Sequence, residues 1–549
     1  MIAAPRLTDR VDALLARYTT AEVRVAALVC DEHPPDAIAF TIVDETLQST
    51  DLSYRELRTR SEAFAAVLRD LGVGPGDRIA TLMSKSADLV TVIVGAWRVG
   101  AVLVPLFTAF AAPAIRYRLT SSEAKVVVVD AAQRAKLEPA GPGPAPVVLV
   151  SGLVESSGDL SLAEAMRSVG QISVPPIALP AEAPIICLYT SGTTGNPKGV
   201  LVPVRALASL HAYLEFGLDV RPDDVYWNAA DPGWAYGLFY AITAPLAAGR
   251  RSLLLSAGFS APLTWSVLER FKVTNFAAAP TVFRALRAAD APIDPTLSVR
   301  VLSSAGEPLN PDVAGWAKAS MGVAVLDHYG QTELGMCVAN AHHPQLSTAI
   351  AQGSMGHPLP GWTLQVLDEA DDAPAAPGRL GRLAVDVPAS PFMWFQGYDG
   401  DELRTRERYC ADGRWYLTGD TAYRDEDGNL FFRSRGDDLI IMAGYRIGPD
   451  EIESVLLQHD RVLEAAVVAA PDALRGEVVE AFVVLRPGVE PSAELIAALK
   501  DRVKQGFAAH AYPRTIHFVA ELPRTPSGKL QRSVLRLALH EKSKGSTNR

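Results

Sequence analysis

The sequence predicts an α/β protein in two parts. A large N-terminal domain of parallel-sheet α/β subdomains carries a small β subdomain, and a small α+β C-terminal domain follows it. Three observations predict this. Short apolar runs alternate with amphipathic helical stretches between residues 53 and 330, the texture of βαβ units in a largely parallel sheet. From residue 381 short strands are separated by turn clusters such as Asp425-Glu426-Asp427-Gly428-Asn429, as in a small β subdomain. Beyond Gly436-Asp437-Asp438 helices and strands mix again, which sets the domains at 1–436 and 437–549. A chain of 549 residues exceeds one typical domain, so more than one packed unit is expected.

Ser53-Tyr54-Arg55-Glu56 is a capping box, and Leu57, Phe64, Leu68 and Leu71 give the helix it opens an apolar stripe. Residues 78–83 read as a strand, 88–99 as a helix, 100–105 as a strand, 112–119 as a helix and 125–130 as a buried strand. After the apolar run Ile185-Ile186-Cys187-Leu188, residues 204–216 read as a helix. Further strands are expected at 225–230, 253–255, 275–279, 299–304 and 323–327. Several end in Gly, Pro or polar residues, and in open α/β sheets ligands bind beyond the carboxyl ends of strands. One cleft assembled from those ends is the economical reading. In the C-terminal part, 449–457 and 493–503 read as helices, and 465–469, 481–485 and 515–519 as strands. Residues 541–549 are polar and expected to fray.

The net charge of −10 argues against a nucleic-acid surface, so an anionic substrate needs local basic residues to overcome the global field. Cys30, Cys187, Cys337 and Cys410 are far apart and form no Cys-x-x-Cys pair. A disulfide framework or zinc site is therefore not expected, and a reducing cytoplasm fits. Residues 1–10 lack the apolar core of a signal peptide. The most apolar uncharged stretch, 232–249, is short and interrupted by glycine and proline, so it reads as buried core and no membrane span is expected.

The densest chemistry follows the apolar run: Tyr189-Thr190-Ser191-Gly192-Thr193-Thr194-Gly195-Asn196-Pro197-Lys198-Gly199. Glycines let backbone N–H groups approach an anion, hydroxyls donate to its oxygens, and the lysine adds a point charge. This is a polyphosphate-binding loop. It is not the common P-loop, because the residue after Lys198 is Gly199 rather than Ser or Thr. Further motifs follow: Asp327-His328-Tyr329-Gly330-Gln331-Thr332-Glu333, Tyr416-Leu417-Thr418-Gly419-Asp420, Arg435-Gly436-Asp437-Asp438 with Met442-Ala443-Gly444-Tyr445-Arg446-Ile447, and Pro523-Arg524-Thr525-Pro526-Ser527-Gly528-Lys529.

In their types, order and spacing these motifs closely resemble the signatures of the adenylate-forming superfamily, which holds acyl-CoA synthetases, peptide-synthetase adenylation domains and firefly-type luciferases. The resemblance spans Thr190 to Lys529 and is nearest to medium-chain acyl-CoA synthetases. It implies an AMP-forming acid–thiol ligase with ATP and CoA as co-substrates and Mg²⁺ as cofactor. By resemblance, Thr190, Ser191, Gly192, Thr193, Thr194, Gly195 and Lys198 hold the β- and γ-phosphates. Thr332 donates to the α-phosphate, and Glu333 holds the metal. Gly306, Glu307 and Pro308 lie along the adenine with Tyr329 against its face, and Asp327, His328, Gly330 and Gln331 complete that wall. Asp420 accepts from the ribose hydroxyls, assisted by Arg435. Lys529 bridges the carboxylate and the phosphate.

For the second half-reaction the resemblance implies a mobile small domain that swings about a hinge at Asp437 and withdraws Lys529. Ala443, Gly444 and Tyr445 then line the thiol tunnel, Arg446 supports the adenylation conformation, and Arg475 meets a CoA phosphate. One departure is Ala511, where many medium-chain members carry a lysine that is taken to touch CoA. Trp234, Ala235 and Tyr236 begin the acyl pocket. Acetate-specific members carry tryptophan at the position of Gly330, so glycine implies room for a longer, medium-chain acid, with branched or aryl acids as alternatives. Members are switched off by acylation of the lysine matching Lys529, which implies a regulatory acyltransferase as partner; the oligomeric state stays open, a homodimer among the options.

The rival readings are an amino-acid adenylation domain, an acyl-AMP ligase serving a carrier protein, a luciferase-like oxidase and a non-catalytic nucleotide binder. The residues after Trp234 offer no acidic partner for an α-amine, and the chain ends soon after the lysine motif, with no room for a carrier domain. Glu333, Asp420, Arg435 and Lys529 are all retained, which speaks against a non-catalytic relative.

Overall fold

The N-cap half of the expected capping box forms, while the Glu56 carboxylate accepts from Arg60 instead of reaching back to Ser53. The Ser53 side chain accepts from the Glu56 backbone N–H at 3.2 Å and opens the helix Tyr54–Asp70, whose Leu57, Phe64 and Leu68 are buried. The computed structural model describes residues 6–138, 145–190, 197–289, 293–294, 296–368, 370–435, 438, 440–442, 445–472, 476–506, 511–524 and 530–546. Their contacts divide the chain into two compact units, Met1–Thr363 with Asp386–Tyr409, and Leu364–Val385 with Cys410–Arg549.

The first unit contains two sheets. In the seven-stranded sheet the order is Leu160–Ser161, Val147–Ser151, Val126–Asp130, Arg78–Leu82, Val102–Pro105, Pro184–Thr190 and Lys198–Pro203. All neighbours are parallel except the last pair. The nine-stranded sheet centres on Val301–Ala305, Asn275–Ala278, Tyr226–Asn228, Ser252–Leu255 and Ile38–Val43, all parallel, with Val325–Gln331 parallel beside Val301–Ala305. Both faces of these strands are buried, by valine, isoleucine and leucine in the seven-stranded sheet and by aromatic and small residues such as Tyr226, Trp227, Phe276 and Ala277 in the nine-stranded one, as parallel strands covered on two sides require. Trp97 Nε1, on the helix Ala87–Arg98, donates to Ile185 O at 3.0 Å and anchors the strand that leads to the hydroxyl-rich loop.

The second unit holds a four-stranded sheet of Leu364–Leu367, Gly381–Asp386, Trp415–Arg424 and Leu430–Arg435. It also holds a five-stranded sheet in which Thr515–Phe518 lies parallel to Gly476–Leu485. Helices Pro449–Leu457, Ala493–Gly506 and Arg532–Ser546 accompany them, which is the expected α+β unit. Contacts group the small β subdomain with this unit, whereas sequence texture grouped it with the large domain. Its last strand, Leu430–Arg435, packs directly against the helix Pro449–Leu457.

Two expectations are corrected. Residues 541–546, read as a polar tail, continue the helix Arg532–Ser546, whose Leu535 and Leu539 are buried in the core of the second unit, and 547–549 lie outside the described residues. The segment 328–331, expected to follow a strand, is itself the end of the strand Val325–Gln331. Among the described residues no helix is long and apolar enough to cross a membrane. None of the four cysteines is in a disulfide, and burial pushes the Cys30 and Cys187 thiols up to about 12, so they stay protonated.

Candidate active site

The strand Pro184–Thr190 and its antiparallel partner Lys198–Pro203 place Thr190 opposite Lys198, bracketing residues 191–196. Ser191, Gly192, Thr193, Thr194 and Gly195 lie outside the described residues, as do Asp437, Ala443, Gly444, Arg475 and Lys529. Parallel pairing of Ala305 with His328 sets Gly306-Glu307-Pro308 beside the segment that ends in Thr332 and Glu333. These residues, scattered over the sequence, are thus gathered by strand ends of one unit.

Trp234 packs on Gly306. Gly306 has φ +101°, and a Cβ there would stand 2.8 Å from Trp234 Cη2. Only glycine satisfies both the backbone and the indole. The expected acid-pocket residue and the expected adenine loop therefore share a wall. Tyr236 stands beside Trp234, with ring centroids 6.2 Å apart. Ala235 opens the helical run that follows, whose π-helical segment Leu238–Thr243 is wholly buried.

Glu333 is buried, 6% exposed, and does not stand alone. Tyr398 donates its hydroxyl to Glu333 Oε1 at 2.7 Å, Arg408 Nε donates to the Tyr398 oxygen at 2.9 Å, and Arg408 Nη2 lies 3.7 Å from Glu333 Oε1. Lys198 Nζ sits 4.7 Å from the centroid of the Tyr398 ring. Desolvation, with Arg408 and Arg404 nearby, pushes the Lys198 pKa down, against the pull of Glu333. Sequence reasoning missed Tyr398 and Arg408. The available signal was the aromatic run Phe392, Trp394, Phe395 and Tyr398, all buried.

Several expected nucleotide-binding residues also have partners within the scaffold. Asn340 O can only accept, so His328 Nε2 carries the proton and donates to it at 3.2 Å. Nδ1 then accepts from the Tyr213 hydroxyl at 2.6 Å. Burial pushes His328 down to about 3, so it is neutral and both nitrogens are occupied within the core. The Glu307 carboxylate accepts from Arg284 Nη2 at 2.8 Å, tying the strand end to the helix Pro280–Ala288. Burial raises Asp327 to about 8; its Oδ2 accepts from Leu309 N at 3.3 Å, while Oδ1 meets no donor among the described residues. The carboxyl is therefore mostly protonated at neutral pH.

Gly330 has a structural reason to be glycine. A Cβ there would meet Gly335 O at 2.1 Å and Met336 Cα at 2.6 Å, across a bulged antiparallel pairing. The hairpin leaves no room for a side chain at 330, so pocket size is not the sole explanation for this glycine. Thr332 and Gln331 remain partly exposed at the turn, and Tyr329 is buried.

A second pair escaped the sequence. Lys85 Nζ donates to Ala229 O at 3.3 Å and faces Asp231, whose Oδ1 accepts from Gly233 N at 2.8 Å. Burial pushes Lys85 down and Asp231 up. This pair links the end of Arg78–Leu82 in one sheet to the Asp231–Trp234 turn of the other.

In the second unit Asp420 and Arg435 are cross-strand partners, which brings the two expected ribose residues into one register. Tyr445 pairs with Met442 and Arg446 with Ile441. Ala511 is fully buried in this unit's core, so the departure at this position falls inside the domain.

Residues 27–398 match the family model described as AMP-binding enzyme, and residues 451–529 match the AMP-binding enzyme C-terminal domain. The chain belongs to the AMP-binding enzyme family. The chain is 36% identical to the acetyl-coenzyme A synthetase of Bacillus subtilis over 492 residues, which are 88% of this chain and 84% of that protein. It is 34% identical to the mitochondrial acyl-coenzyme A synthetase ACSM3 of Mus musculus over 510 residues, covering 91% and 86%. Among solved structures, the acyl-CoA synthetase of Brucella canis superposes with a TM-score of 0.75 at 42% identity, covering 99% of this chain and 98% of that one. In this AMP-binding enzyme both family segments contain expected site residues: the first holds Thr190 to Glu333, and the second ends on Lys529.

Proposed function

We propose that the chain is an AMP-forming acyl-CoA synthetase that activates a medium-chain fatty acid. A carboxylate oxygen attacks the α-phosphorus of ATP, and the bond to pyrophosphate breaks, giving the acyl-adenylate. The CoA sulfur then attacks the acyl carbonyl, AMP leaves, and the thiol proton passes to solvent. The observation that carries the reading is Trp234 packed on Gly306 with Glu333 and Lys198 in the same unit. Acid and nucleotide would then meet across one wall.

In this account Thr190 to Lys198 bind the polyphosphate and Thr332 orients the α-phosphate. Catalysis is mainly positioning and charge stabilisation, because two anions must be brought together. Asp420 and Arg435 hold the ribose, and Lys529 stabilises the attacking carboxylate and the phosphate. The division at 436/437, with its hinge at Asp437, lets the small domain exchange Lys529 for the thiol tunnel at Ala443, Gly444 and Tyr445. Arg475 would take a CoA phosphate. The free thiols fit a cytoplasmic enzyme.

The residues present suit magnesium. Among the described residues no group of three His, Cys, Asp or Glu could cage a metal, but Glu333 offers a hard oxygen donor. Magnesium is commonly held by one or two carboxylates plus phosphate oxygens and water. Glu333 would hold it, and the ion when bound would neutralise charge on the polyphosphate.

Chain length rests on the sequence rather than on kinship, since an acetyl- and a broader acyl-coenzyme A synthetase are similar to this chain at nearly equal identity. By resemblance, Gly330 stands where acetate-specific members carry tryptophan, and that difference supports a longer acid beside the packing against Gly335 O that also calls for glycine. Comparing kcat/KM across saturated acids from acetate to dodecanoate is expected to peak at hexanoate or octanoate. A peak at acetate, or at benzoate in a parallel aryl series, would replace the medium-chain assignment.

A further inference from the structure

The apparatus around Glu333 contains more than the expected phosphate loop and metal-binding carboxylate. Tyr398 is fixed by its neighbours: it bridges Val200 across the strand that begins at Lys198, Asp399 N donates to Gly199 O at 2.8 Å, and Asp399 pairs with Arg78 at 2.8 Å. Its own N–H donates to Thr405 Oγ1 at 2.9 Å. So held, one side chain does two things. Its ring lies under the Lys198 ammonium, 4.7 Å from it, and its hydroxyl binds the Glu333 carboxylate at 2.7 Å. Arg408 completes the set by donating to that hydroxyl oxygen at 2.9 Å and standing 3.7 Å from the same carboxylate oxygen.

We infer that Tyr398 and Arg408 are positioning residues for the metal–polyphosphate end of the site: Tyr398 aims Glu333 and seats Lys198, and Arg408 is the counter-ion that Glu333 exchanges for the divalent cation. A buried carboxylate needs compensating partners. Without nucleotide, Tyr398 and Arg408 supply them. Once Glu333 is engaged by a divalent cation, Arg408 loses its claim on that carboxylate. It then stands with Lys198 as a second cation facing the phosphates. A guanidinium suits that task because its planar fork matches phosphate oxygens. No bond is made or broken by either residue. This rests on the ATP-binding reading of the site, and it adds two residues to it.

The test is equilibrium binding of ATP to the full-length protein by calorimetry, once with Mg²⁺ and once with EDTA. Tyr398→Phe keeps the ring beneath Lys198 and removes only the hydroxyl. It is expected to weaken ATP binding roughly tenfold in Mg²⁺, the scale of a hydrogen bond to a charged group, with little change in EDTA. Arg408→Gln is expected to weaken binding in EDTA as well, and Arg408→Lys to recover part of the loss. For Tyr398→Phe, a merely structural role would lower both conditions together. Tyr398→Phe matching the wild type in Mg²⁺, or losing equally in both conditions, overturns the inference while leaving the ATP site intact. Wild-type protein that binds no ATP overturns both readings. Circular dichroism of each variant identifies a fold defect; if Tyr398→Phe is misfolded, the Arg408→Gln and Arg408→Lys pair decides, and no rescue by lysine counts against the inference.

Discussion

Lys529→Gln is expected to lower adenylate formation by about 10²–10³-fold, the scale seen when one preorganised stabiliser of developing charge is removed. Glutamine keeps much of the length and loses the charge, as acylation of the lysine does. In the first half-reaction a carboxylate approaches a triphosphate, and Lys529 is the cation proposed to stand between them. In the second, as proposed, the thiol would attack a neutral acyl carbonyl with no part for the lysine. The variant is therefore expected to convert supplied acyl-adenylate and CoA at close to the wild-type rate. Stopped assays of pyrophosphate release and of acyl-CoA formation from purified adenylate read the two steps separately. Equal loss in both would contradict the role. The flanks of the motif are well fixed: Arg524 bridges Leu530, and Arg524 pairs with Glu464 at 2.8 Å. A charge change at 529 should thus leave the domain folded.

Glu333→Gln is expected to cost a similar 10²–10³-fold in pyrophosphate release, again with the thiol step spared. The amide is nearly isosteric and still accepts from the Tyr398 hydroxyl, so the hydrogen-bonded frame of 2.7 Å is retained. What disappears is the negative charge that a divalent cation would meet and that Arg408 pairs with at 3.7 Å. The diagnostic is the Mg²⁺ dependence of the rate: half-saturation by the ion is expected to rise in Glu333→Gln and to stay unchanged in Lys529→Gln. An unchanged Mg²⁺ profile in Glu333→Gln would remove this residue from the metal site.

The sequence made the contiguous parts of this site legible. The apolar strand before the hydroxyl-rich loop, the capping box at Ser53 and the strand–turn punctuation all depend on neighbours a few residues apart, where local physics acts. What stayed hidden are contacts between distant segments. Tyr398 meets Glu333 across 65 residues, and Lys85 meets Ala229 across 144. Neither carries a motif, because a tyrosine or lysine takes its role from what the fold sets beside it. His328 carries a contact of the same hidden kind. It sits inside a signature segment, yet Tyr213 and Asn340 hold its ring in the core. Gly330 was explained by the ligand it admits, while the approach of Gly335 O already demands glycine there. The helix Arg532–Ser546 was not read from the sequence, because its polar end masks an apolar stripe that begins at Leu535.

The most direct measurement is AMP release from ATP and octanoate in the presence of Mg²⁺, with and without CoA. Fast AMP release that requires CoA, with pyrophosphate appearing in equal amount, is the predicted result. Pyrophosphate release with the adenylate retained despite CoA would contradict the account and identify an enzyme that stops at the acyl-adenylate.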